Sequence, residues 1–78
     1  MPHFFFNLYD DTVTLDEEGK QLPDTDAAHE EAVRNAKAMA CAEVLEGHLI
    51  LDHCIEVMNE RGEPVGTVRF GDVVKVEL

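Results

Sequence analysis

Hydrophobic and polar positions alternate from the third residue onward. In His3 to Tyr9, HFFFNLY, Phe4, Phe6 and Leu8 fall on one side of a period-two pattern, with His3, Phe5, Asn7 and Tyr9 on the other. A short, aromatic-rich alternating run predicts a strand. Asp10-Asp11 reads as a turn, although it lacks the glycine of the commonest hairpin loops. TVTLD then resumes the alternation with Val13 and Leu15 in phase, which predicts a hairpin ending near Asp16.

The period changes after a second turn, Asp16-Glu17-Glu18-Gly19, where Gly19 can take a left-handed backbone. Pro23 pushes Leu22 to an extended conformation, and Asp24 is placed to cap a helix. Thr25 is the alternative cap. From Thr25 to about Glu46 the chain is alanine-rich, and Ala28, Ala32, Val33, Ala36, Met39, Ala40 and Val44 share half of a helical wheel. Such small residues predict close approach of helix to sheet. Glu43 projects from within the apolar arc, as expected where a helix overhangs a sheet edge. Asp26, Glu30 and Glu31 sit near the positive end of the helix dipole, and Gly47 is the expected stop.

Period two returns in HCIEVMNERGEPVGTVRF, two strands around Asn59-Glu60-Arg61-Gly62. VVKVEL, with Val74, Val76 and Leu78 in phase, is either a fifth strand or the fourth continued past a bulge at Gly71. The predicted fold class is therefore α+β. Its order is β-β-α-β-β with this further C-terminal strand as an option, one helix packed on one face of a small, mainly antiparallel sheet. Residues 1–78 make one small domain. Such a short chain buries only roughly 60% of its unfolded surface, so a partner subunit is a natural source of extra stability.

A single helix covers only one sheet face, yet apolar residues occur on both faces of several strands. Phe5, Tyr9, Met58 and Val73 are the residues behind the helix-facing set. They mark an expected interaction surface on a sheet face or edge, and a homo-oligomer is the expected state.

Charge narrows the partners. Six Lys and Arg stand against seventeen Asp and Glu, a net charge of −11. Nucleic-acid binding draws its affinity from basic side chains on phosphates, and no basic cluster exists here. Direct nucleic-acid binding and attachment to anionic lipid are both disfavoured, whereas a basic protein remains an admissible partner. The surplus charge also has a simple role in keeping a small protein in solution. No apolar run reaches bilayer length or the form of a signal peptide, so the expectation is a cytoplasmic protein with reduced thiols.

Candidate chemistry is sparse. His48, His53 and Cys54 come nearest to a metal set, but adjacent strand residues point to opposite faces, and zinc sites want paired, turn-held ligands. Asp24-Thr25-Asp26 begins like a calcium loop, but Ala28 and His29 occupy positions that need a ligand and a glycine. Weak cation or small-ligand binding at Asp16, Glu17, Glu18, Asp24 and Asp26 is an alternative role for the acidic junction. There is no serine, no phosphate-cradling glycine loop and little room for a pocket, so neither catalytic residues nor a cofactor is expected. Cys41 and Cys54 read as small inert residues rather than a redox couple.

The segments FFFNLYD, DEEGKQLPDTDAA and IEVMNERGEPVGTVRFGD together resemble a family of short uncharacterised bacterial proteins found chiefly in alphaproteobacteria. Asp16, Glu17, Glu18, Gly19, Leu22, Pro23 and Asp24 carry its D-E-E-G-x-x-L-P-D junction. Ala28, Glu31 and Ala32 carry its helix, and Ile55, Val57 and Gly62 its last hairpin. The resemblance implies no assigned activity. Gly19, Pro23, Asp24, Glu31, Ala32, Asn35 and Ala36 are also similar to the junction phrase of certain toxin–antitoxin antitoxins, acidic modules that bind a basic partner. Within residues 1–78 the resemblance does not extend to a DNA-binding segment.

Overall fold

The computed structural model describes residues 1–77. Its elements are β1 (His3–Tyr9), β2 (Val13–Thr14), β3 (Lys20–Gln21), α1 (Thr25–Leu45), β4 (Cys54–Asn59), β5 (Pro64–Arg69) and the single turn α2 (Phe70–Val73). The strands form one antiparallel sheet in the order β2-β1-β4-β5, with β3 pairing β1 on the β2 side. The α+β class, the long helix and the flanking hairpins agree with the sequence reading.

Asp16 explains why β2 and β3 are separate. Leu8 faces Thr14 and Phe4 faces Lys20, so residues 14–20 run beside residues 4–8 with two residues to spare. Where the outer chain leaves the ladder, its carboxylate takes over. Asp16 Oδ2 accepts the Phe6 N–H at 3.1 Å, and Oδ1 accepts those of Glu18 and Gly19 at 3.1 and 3.0 Å. Asn7 Oδ1 in turn accepts the Asp16 N–H at 2.9 Å. Gly19 has φ 67°, and a Cβ there would lie 2.6 Å from the His3 ring and 2.7 Å from the Phe4 carbonyl oxygen. Only glycine fits this return.

Helix α1 begins where Asp24 accepts the Ala27 N–H at 2.8 Å and ends before Gly47, whose φ is 98°. Ala28, Ala32, Ala36 and Ala40 are its buried residues. Four steps advance about 40° around the axis, so these alanines form one narrow, slowly turning stripe. It rests on Phe4, Ile55, Val57 and Val68, with the fully buried Phe70 completing the core. Met39 and Val44, from the predicted apolar arc, are exposed.

The C-terminal end departs from the expected strand. Phe70 turns inward, its N–H donating to His53 O, and Asp72 Oδ2 reaches back to the Arg69 N–H. Residues 70–73 become a helical turn, and 74–77 join no strand; Leu78 lies outside the described residues. The sheet's fifth strand is instead β3. The register irregularity lies in the β4–β5 ladder, between Val57 and Met58, not at Gly71.

The outer edge of β5 offers little to another strand. The Phe70–His53 bond fixes which residues point inward, and by alternation Pro64, Thr67 and Arg69 point outward. Pro64 has no N–H, and Asp72 occupies that of Arg69. This edge is blunted at both ends.

Candidate interaction surfaces

Two surfaces stand out, one on each side of the sheet. On the side away from α1, Phe5 lies directly opposite Met58, Asn7 opposite Glu56, and Tyr9 opposite Cys54 and Val13. Thr67 and Arg69 extend this face across β5. Its formal charges are Glu56 and Arg69, so it is balanced within a chain of net charge −11. The Tyr9 hydroxyl donates to Glu56 at 3.1 Å, which raises the phenol's pKa. The expected residues Phe5, Tyr9 and Met58 therefore share one face, all half-buried. Val73 does not join them; it sits on α2 and packs against the core.

On the helix side, two adjoining cavities follow the line where α1 leaves the β2 edge. The larger, about 450 Å³, has a floor of Phe6, Leu8, Leu15 and Met39, with Asp16, Glu17 and Glu18 at its rim. The smaller, about 250 Å³, is lined by Leu8, Met39 and Phe70 and by Asp10, Asp11, Glu43, Glu46, His48 and His53. Leu8 and Met39 line both, so the two form one cleft.

Glu43 and His53 close the deeper end. His53 Nδ1 lies 2.5 Å from Glu43 Oε2, while Glu43 Oε1 accepts the Ile50 N–H at 3.0 Å. The other ring nitrogen faces Asp11 Oδ1 at 3.6 Å. Burial pushes the imidazole's pKa down, but the hydrogen bond and charge of Glu43, with the charges of Asp11 and Asp10, raise it overall. Burial likewise pushes Glu43 up, and the Ile50 N–H, His53 and His48 bring it below its ordinary value. The contact ties the helix to the segment leading into β4, and the carboxylate favours the protonated form of the ring, the form that cannot act as a base.

The Glu43 carboxylate turns inward to His53. The signal for it was a carboxylate inside an apolar arc, but nothing local named His53 as its partner. His48 and His53 both line the cleft, while Cys54 lies on the opposite sheet face, its thiol held up by burial. Among the described residues, no group of three or more His, Cys, Asp or Glu is placed to hold a metal ion. Two of the five carboxylates of the acidic junction are used in place, Asp16 by three backbone N–H groups and Asp24 by the helix cap.

This architecture defines a small α+β domain with one helix-covered sheet face and one open face. A domain of unknown function (DUF6894) matches residues 3–71, and the chain belongs to that family. No curated protein and no solved structure matches it. Among the described residues, no helix is long and apolar enough to cross a membrane.

Proposed function

We propose that the domain is non-enzymatic and acts by protein–protein association, with a second copy of the chain meeting the open sheet face. The charge balance of that face carries the reading. Two chains of net charge −11 repel over most of their surfaces. The face holding Phe5, Tyr9, Cys54 and Met58 carries one carboxylate, Glu56, matched by one guanidinium, Arg69, and so adds no net repulsion to the approach. Sheets that meet this way pack about 10 Å apart through interdigitating side chains. The blunted β5 edge favours face over edge. No cofactor is part of this reading, and the free thiols Cys41 and Cys54 fit a reducing, cytoplasmic setting.

Sedimentation velocity across a micromolar concentration series tests it. The expected result is a dimer that Met58→Asp returns to monomer, because the substitution sets two like charges against each other in the contact. A wild-type chain that stays monomeric throughout the series would sink the proposal.

A further inference from the structure

Two exposed apolar side chains meet on the helix side of the sheet. Leu15 is 61% and Met39 42% exposed, and both line the larger cavity of the helix-side cleft. Leu8 continues that apolar floor into the smaller cavity. Every Asp and Glu at this cleft lies on a chain whose Lys and Arg are all placed elsewhere; none of the six lines either cavity. Some of these carboxylates are already engaged, Asp16 by backbone N–H groups and Glu43 by His53. Glu17, Glu18 and Glu46 are different. Among the described residues their carboxylates take part in none of the side-chain hydrogen bonds or ion pairs, the nearest bonds of Glu18 and Glu46 being made by their backbones.

An apolar floor between unneutralised acids selects a particular chemistry. An aliphatic side chain would be buried against Leu8, Leu15 and Met39, and cationic groups on either side of it would meet Glu17 and Glu18 at one end and Glu46 at the other. A purely cationic ligand would leave the floor wet, and a purely apolar one would desolvate carboxylates without compensation. From this complementarity we infer that the cleft is a docking site for a basic segment of a partner protein that alternates Lys or Arg with aliphatic residues. It lies on the face of the sheet opposite Phe5 and Met58, so it operates whether or not the chain pairs with a second copy.

The probe is a short fluorescein-labelled peptide of alternating Lys and Leu, titrated into the full chain at low salt. Lys–Gly and Glu–Leu peptides serve as counterparts. Binding should appear for Lys–Leu alone, weaken as salt is added, and move the backbone amide resonances of Leu15, Glu18 and Met39. The combined variant Glu17→Gln, Glu18→Gln, Glu46→Gln should weaken it about tenfold, since each rim charge contributes a few-fold at near-water dielectric. Among the described residues these carboxylates make no hydrogen bond or ion pair, so a melting temperature that does not fall checks that only the rim was altered. Met39→Gln should weaken binding while leaving its salt dependence. No binding at millimolar peptide, equal binding of Lys–Gly, no loss in the triple variant, or resonance changes centred on Phe5 and Met58 would each overturn the inference. Self-association is read separately by sedimentation, so failure there leaves this test intact.

Discussion

Replacing Glu43 with glutamine isolates the charge in the contact that ties α1 to β4. In the wild-type chain one carboxylate oxygen faces His53 Nδ1 at 2.5 Å and the other accepts the Ile50 N–H at 3.0 Å. Glutamine keeps the shape and one acceptor, which remains with Ile50. Its amide nitrogen then faces the ring and can only donate, so the imidazole must present a bare Nδ1 and be neutral. A hydrogen bond to a charged group contributes about 1.5–3 kcal/mol net, and the neutral ring gives up that contribution while its other nitrogen still faces Asp11 at 3.6 Å. The expected loss is about 2 kcal/mol near pH 6, or about 10 °C in Tm for a domain of this size.

The pH dependence carries the sign. His53 has its pKa raised above 6.5, so its contribution is complete below about 6.5 and is lost as pH rises through the higher folded value. Glu43 has its pKa lowered below 4.5, so its contribution is present above about 4.5 and is lost as pH falls through the lower folded value. The pair therefore stabilises most between about pH 4.5 and 6.5. Urea unfolding followed by circular dichroism should show the wild-type advantage over Glu43→Gln near pH 6 shrinking by about pH 8.5. An advantage of equal size at both pH values would refute the ion-pair reasoning and leave only the loss of shape or of the Ile50 bond.

Two further substitutions probe the fold. Asp16→Ala removes the acceptor of three backbone N–H groups, of which that of Phe6 is the least able to turn to water. It should cost about 2–3 kcal/mol in urea unfolding, with faster hydrogen exchange at Phe6 reporting the opened edge. Ala36→Leu forces a larger side chain into the fully buried helix–sheet contact and should cost about 2–3 kcal/mol, while Ala38→Leu on the exposed face should change thermal stability by less than about 0.5 kcal/mol.

Legibility in the sequence followed the range of the physics involved. The β1 alternation, the Asp24 cap, the Gly47 stop and the alanine stripe are local, set by the 2.0 and 3.6 periods and by backbone conformations available within a few residues. All appear in the structure. The DEEG turn was legible as a joint, but its use of a side chain as a substitute strand was not. That role depends on Asp16 arriving opposite Phe6, which only the sheet register decides.

The C-terminal end shows the same division from the other side. Val74 and Val76 alternate as a strand would, yet Phe70 finds a fully buried site between α1 and the sheet, and the chain turns helical to reach it. A tertiary site for one large side chain outweighs a weak local pattern. Val73 follows Phe70 inward, which removes it from the open face where alternation had put it.

By itself the sequence determined the first strand, the long capped helix, the last hairpin and the carboxylate surplus, because periodicity, capping and charge are properties of neighbouring residues. Tertiary structure alone decided that Glu43 meets His53, that Leu8, Leu15 and Met39 form one floor, and that the acids gather around it. Those residues come from two strands' edges, a helix and a loop, and their distances depend on how closely four buried alanines let α1 settle on the sheet.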